Sequence, residues 1–120
     1  MNFWLFAGAI NGFLAVAAGA FGAHSLESRL DAQNFSIFQT AANYHLVHSV
    51  AVVAAALAIS LTGRRAAAIS ALLFTAGIIL FSGSLYFMVL ARSNALVLLT
   101  PIGGVLLLAG WAALALAAFS

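Results

Sequence analysis

The length of the uncharged intervals limits the folds open to this chain more than any other sequence feature. Two acids and four arginines carry all the charge in 120 residues, 66% of which are hydrophobic. A soluble domain typically has about 25% charged residues, whereas each helix that crosses a bilayer core of about 30 Å needs about 20 mainly apolar residues. The mean hydropathy of +1.20 shows that apolar residues of this kind make up most of the chain. The chain is therefore predicted to be an integral membrane protein in contact with the lipid bilayer.

Four apolar runs predict an all-α membrane domain that occupies residues 1–120. The predicted transmembrane helices cover residues 3–22, 41–61, 66–91 and 95–119. The residues Ala18-Gly19-Ala20 fit a signal-peptide cleavage pattern, but the flank Met1-Asn2 has no basic residue and the apolar run is too long, which favours a retained helix. Since the turn at Gly63-Arg64-Arg65 is short, the helices on either side are expected to be antiparallel.

Two parts of this organisation depart from a simple four-helix pattern. Residues 24–40 are the most polar stretch but place leucine and isoleucine at helical spacing, which predicts an amphipathic segment at the membrane interface. The dipeptide Thr100-Pro101 resembles an N-cap followed by a first helical residue. The fourth helix therefore either begins near Pro101 or runs from Ala95 with a kink at Pro101.

Antiparallel helices bring most polar side chains to one side of the membrane. Arg64 and Arg65 have no nearby acid, whereas Arg29 is offset by Glu27 and Asp31, so the positive-inside rule places both termini in the cytoplasm. The predicted extracytoplasmic side then collects a polar cluster and three histidines. The cluster consists of Asn43, Tyr44, Ser82, Tyr86, Arg92 and Thr100.

The histidines allow two interpretations. His45 and His48 are three positions apart and share one helix face, and His24 can approach them from the end of the first helix. Imidazole groups bind zinc, copper, nickel and iron, so the three histidines are a candidate site for a metal, a haem or a proton-linked small ligand. The alternative is that they hold the helices together through hydrogen bonds. No cofactor is required by the sequence.

Small residues predict close helix packing. Gly8 and Gly12 lie on one face of the first helix, and Gly103, Gly104 and Gly110 have the same potential in the fourth. Asn11 lies in mid-membrane and is expected to bond to another helix, because an unsatisfied amide in hydrocarbon is costly.

Four motifs resemble those of the YgdD-like family of small integral membrane proteins, a class of unknown function with a TMEM-type branch in eukaryotes. The motifs are GAFGAHSL at 19–26, FQTAANYHLVHSVAV at 38–52, FSGSLY at 81–86 and LTPIGGVLLLAGW at 99–111. The resemblance implies a several-helix protein of a bacterial inner membrane, or a mitochondrial membrane if the chain is eukaryotic. It supplies no reaction. The matched positions are Gly19, Gly22, His24, Tyr44, His45, His48, Ser82, Tyr86, Pro101, Gly103, Gly104, Gly110 and Trp111.

The function predicted from these observations is that of a non-enzymatic accessory or assembly subunit of a larger membrane complex or a homo-oligomer. Cysteine is absent, and no nucleophile elbow or nucleotide fingerprint occurs, so no catalytic residues are predicted. Four dispersed arginines do not form the basic face that nucleic acid requires. The competing hypothesis is a ligand or proton site at His24, His45 and His48.

Overall fold

A computed structural model of the chain describes residues 2–119. Within that part of the chain, four helices are long and apolar enough to cross a membrane, which confirms the predicted all-α architecture. We number them α1 to α4 in chain order. Their bounds are Phe3–Leu26 (α1), Ala32–Thr62 (α2), Arg65–Leu90 (α3) and Leu99–Leu116 (α4).

Local sequence explains where these helices begin and end. The side chains of Asn2 and Asp31 each accept a hydrogen bond from a backbone N–H in the first turn of the following helix. Gly63 ends α2 in the left-handed conformation, with φ of 65°. A residue without a Cβ adopts that conformation at little cost. The turn between α2 and α3 is as short as the sequence predicts.

The polar segment 24–40 does not form a separate interfacial element. His24 lies at the end of α1, residues 27–31 form a turn, and Ala32 begins a helix that continues without a break to Thr62. This helix has 31 residues. At a rise of about 1.5 Å per residue, it is about 45 Å long and exceeds a bilayer core of about 30 Å. The first, mostly polar turns of α2 therefore extend beyond the hydrocarbon.

The fourth helix begins at Leu99, close to the predicted start at Pro101, but its N-cap residue is Leu98 and not Thr100. Pro101 lies in the first turn, where the missing N–H has no intrahelical partner to lose. Residues 94–99 form hydrogen-bonded turns before the helix, including Val97 N to Asn94 O at 3.1 Å. A kinked helix from Ala95 is therefore not formed.

Consecutive helices pack side by side, and the core lies between α2, α3 and α4. Val52, Phe74 and Leu107 are buried at its centre. The helix α1 is peripheral because it packs mainly on α2 and makes few contacts with α3. It also contains a π-helical stretch at Ala17–Gly22, a local widening of the kind often found at functional sites.

Candidate functional site

His45 and His48 lie well inside α2, in the part of the helix that crosses the membrane. Helix α2 begins at Ala32. His45 is therefore between three and four turns into the helix, at a distance of about 20 Å from its start. The residue is 7% exposed, and His48 is 6% exposed. Polar groups at this depth require partners inside the protein, because hydrocarbon offers none.

A chain of hydrogen bonds through His45 joins the first three helices. The Asn11 side-chain amide donates to Ala7 O at 2.9 Å, which orients Asn11 Oδ1 toward His45 Nε2 at 3.0 Å. An amide oxygen only accepts, so His45 Nε2 carries the proton. In the neutral ring Nδ1 is then an acceptor, and it receives the Tyr86 hydroxyl at 3.1 Å. We call Asn11, His45 and Tyr86 the three-helix network.

His48 has the opposite tautomer and connects α2 to α4. Its Nδ1 lies 2.7 Å from the Tyr44 carbonyl. A carbonyl only accepts, so Nδ1 carries the proton. Trp111 Nε1 donates to the free Nε2 at 3.1 Å, and the Trp111 ring packs edge-on against Phe74, with ring centres 4.9 Å apart. Each ring nitrogen of His48 therefore already has a partner.

Hydroxyl groups add further contacts between helices. Ser82 in α3 donates to Ala41 O in α2 at 2.8 Å, and the hydroxyls of Ser84 and Thr100 bond across α3 and α4. Ser49 donates to His45 O of its own helix at 2.6 Å. All three serines are buried. The bonds of Ser82 and Ser84 to other helices fix neighbouring membrane helices relative to one another.

The structure does not bring the three histidines together as a metal site. His24 is exposed at the end of α1, while both nitrogens of His45 and of His48 bond to protein groups. Among residues 2–119, no group of three His, Cys, Asp or Glu side chains is placed to hold a metal ion. A ligand at either buried histidine would have to replace an existing hydrogen bond.

The remaining predicted cluster residues have separate surroundings. Asn43 is exposed, and the half-exposed Tyr44 ring stacks on His48 and contacts Phe81. Arg92 lies beyond α3, in the left-handed conformation with φ of 52°. The predicted polar cluster thus divides into contacts between helices, two exposed side chains on α2 and a separate arginine at the end of the bundle.

The predicted packing glycines differ in how closely a neighbour approaches. A Cβ at Gly8 would lie 2.7 Å from Val53 Cγ2, and one at Gly110 would lie 2.6 Å from the Phe74 ring. At Gly103 it would meet the backbone of α3, including Leu80 C at 2.8 Å. Gly12 and Gly104 have more room, because a Cβ at either position would lie 3.8 Å from the nearest atom of another helix.

Sequence reasoning missed the polar role of Trp111. An indole N–H that lies inside a spanning helix needs an acceptor from the protein. His48 is the acceptor that the structure provides. The sequence indicates that this N–H needs a partner. It does not specify which imidazole faces which helix.

Comparisons with known proteins place the chain in a family. Residues 18–104 match the family "Protein of unknown function (DUF423)". A UPF0382 membrane protein of Haemophilus influenzae is 44% identical over 111 residues, which cover 92% of this chain and 89% of that protein. The UPF0382 membrane protein YwdK of Bacillus subtilis is 39% identical over 119 residues, covering 98% and 97%.

The same relationship extends to the UPF0382 inner membrane protein YgdD of Escherichia coli, which is 39% identical over 115 residues, covering 92% of this chain and 85% of that protein. No solved structure matches the chain. The similarity covers nearly the whole length of these relatives, in agreement with the resemblance of the four motifs. The chain therefore belongs to the YgdD-like DUF423 family of membrane proteins.

Proposed function

We propose that this protein is a non-enzymatic accessory or assembly subunit of a larger membrane-protein complex. The observation that carries the proposal is that every ring nitrogen of His45 and His48 bonds to another protein group. The most reactive side chains in the membrane interior are thereby used to hold helices in fixed positions. A rigid bundle of this kind suits a scaffold that presents a surface to a partner.

The surface with the best support is the outward side of α1. In the most apolar part of α1, 11% of the residues are buried, against 39% in α2 and in α3. A groove of about 440 Å³ runs along it, lined by small residues such as Ala9 and flanked by Phe13 and Phe21. A groove between protruding phenylalanines accepts the side chains of a neighbouring transmembrane helix by close packing.

We infer an inner-membrane location with both termini in the cytoplasm, and a mitochondrial membrane for a eukaryotic chain. Arg64 and Arg65 lie at one end of the bundle, at the turn between α2 and α3. The opposite end has Arg29 and Arg92 together with two acids. The excess of positive charge in a short loop supports a cytoplasmic position for the first end.

The test is native purification in mild detergent after cross-linking of intact membranes. The wild-type chain is expected to elute with a partner protein, and Ala9→Phe, which fills the groove on α1, is expected to release it. Ala112→Phe places the same ring on the exposed surface of α4 and is the matched control. A wild-type chain that elutes as a monomer surrounded by lipid would refute the proposal, while cross-links only between copies would identify a homo-oligomer.

A ligand function of the histidines is the competing hypothesis. It requires a metal, haem or small ligand to displace Tyr86 or Trp111 from an imidazole. Metal analysis and an absorption spectrum of the purified protein test it directly. Stoichiometric metal or a haem band that disappears in His45→Phe would favour the ligand function over the scaffold.

A further inference from the structure

A polar cavity of about 400 Å³ lies at the end of the bundle opposite the Arg64-Arg65 turn. Its wall is formed by the turn 27–31, the start of α2 and the end of α3, and Arg29, Asp31, Asn34 and Arg92 contribute its polar groups. If α1 to α4 cross the bilayer, these groups lie where the apolar parts of the helices end. The cavity is therefore at the depth of lipid head groups.

The charges in this cavity are available to an external ligand. Within residues 2–119, neither Arg29 nor Arg92 forms an ion pair or a guanidinium hydrogen bond with the protein. Two guanidinium groups on one cavity suit a phosphate, because each presents a planar fork of donors to its oxygens. The excess of one positive charge over Asp31 favours an anionic group beside the arginines.

Asp31 favours a hydrogen-bond donor, such as a cationic group, in the same cavity. Its carboxylate accepts Asn34 N at 2.8 Å and the Asn34 side-chain amide at 3.3 Å. A carboxylate has about four lone-pair sites, so Asp31 retains capacity for a further donor in the cavity. A ligand that combines a phosphate with an ammonium group would satisfy both the arginines and this acid.

An apolar groove of about 480 Å³ lies near the same end of the bundle, between α1 and α3, with Phe38 of α2 also in its wall. It is lined by residues that include Ala18, Gly22, Leu26 and Leu90. The backbone N–H of Leu30, a residue that lines the polar cavity, donates to the Leu26 carbonyl. Val89 also lines the cavity, and the next residue, Leu90, lines the groove. The polar and apolar spaces therefore adjoin in the order of a lipid head group and its acyl chain.

We infer that this end of the bundle is a binding site for one phospholipid with an amine-bearing head group. The phosphate lies against Arg29 and Arg92, the ammonium group faces Asp31, and one acyl chain follows the groove past Ala18. The lipid fills the gap that the peripheral packing of α1 leaves next to α3.

The site is tested by native mass spectrometry of the full chain, purified in mild detergent and mixed with equal amounts of phosphatidylethanolamine, phosphatidylglycerol and phosphatidylcholine. The wild-type chain is expected to retain one phosphatidylethanolamine. Loss of the two charge-assisted contacts in Arg29→Gln/Arg92→Gln predicts a reduction in retained lipid of about tenfold or more. Arg65→Gln removes an exposed arginine at the opposite end and is expected to retain the lipid.

Two further variants separate the parts of the site. Ala18→Phe fills the apolar groove and is expected to reduce retention, which a site for free phosphate alone would not show, while Ala112→Phe is its control. Asp31→Asn keeps a good N-cap residue and is expected to shift retention from phosphatidylethanolamine toward phosphatidylglycerol.

Three results would overturn the inference: no stoichiometric lipid on the wild-type chain, equal retention by the double-arginine variant and Arg65→Gln, or a wild-type preference for phosphatidylglycerol. If the double variant does not fold, Arg29→Gln alone is compared with Arg65→Gln by the same criterion. Each result is independent of the partner proposed for α1, because the lipid assay uses the purified chain.

Discussion

The contrast between Gly103 and Gly104 gives the sharpest test of the packing between α3 and α4. A Cβ at Gly103 would lie 2.8 Å from both Leu80 C and Phe81 Cα, whereas one at Gly104 would lie 3.8 Å from the Phe81 ring. Carbon atoms at optimal contact are about 3.5–4.0 Å apart, so Gly103→Ala requires the two helices to separate by roughly 0.7–1.2 Å. Backbone atoms cannot rotate away as a side chain can.

The expected magnitude comes from the difference between the two variants. Both gain about 1 kcal/mol or less of helix propensity when glycine becomes alanine, and this contribution cancels in the comparison. Overpacking costs about 1–3 kcal/mol, so Gly103→Ala should have a free energy of unfolding lower by about that amount than Gly104→Ala. Any separation of the helices also strains the bond between Ser84 and Thr100, one turn from the glycines.

The assay is reversible unfolding in mixed micelles, titrated with a denaturing detergent and followed by the fluorescence of Trp4 and Trp111. The Trp111 ring reports on the packing of α4 because it lies against the Phe74 ring of α3. The expected order of stability is Gly104→Ala at or above wild type, and Gly103→Ala clearly below it. Equal midpoints for the two alanine variants would refute the close backbone approach of α3 to α4.

Two further predictions use the same titration. His45→Phe removes two bonds between helices. Because such bonds contribute on average about 0.6 and at most about 1.7 kcal/mol each, the change should lower the free energy of unfolding by about 1–3 kcal/mol; His24→Phe, at an exposed position, should not. A similar loss in both variants would contradict the three-helix network. Arg64→Gln removes the guanidinium that donates to Ala117 O at 2.7 Å. This change should lower the free energy of unfolding by about 0.3–1 kcal/mol, because the guanidinium pairs with a carbonyl at the C-terminal end of α4. Arg65→Gln should leave the free energy of unfolding unchanged. An equal effect of the two substitutions would refute a specific contact of Arg64 with the end of α4.

Much of the fold follows from local features of the sequence. The apolar runs predict four spanning helices, and the cap residues Asp31 and Gly63 act where short-range chemistry places them. The boundary between α1 and α2 was harder to predict, because the polar composition of residues 24–40 resembles that of an interfacial helix. Asp31 outweighs that pattern by starting a helix that extends continuously into the membrane.

The candidate site was only partly predictable for a different reason. Helical spacing places His45 and His48 on related faces of one helix, and the depth of Asn11 requires a partner. Which partner each has depends on the rotation and separation of the neighbouring helices, to which residues distant in sequence contribute. Trp111 is 63 residues from His48, and no local pattern connects them.

The sequence by itself determined that the chain lies in a membrane, how many helices cross it and on which side of the bundle the polar residues collect, because hydrophobicity, helix length and alternating direction are properties of the chain alone. Tertiary structure decided that His45 and His48 bond to different helices, that Gly103 rather than Gly104 permits close contact, and that Arg29 and Arg92 share a cavity. These outcomes depend on distances of a few ångströms between separate helices, which only their packing fixes.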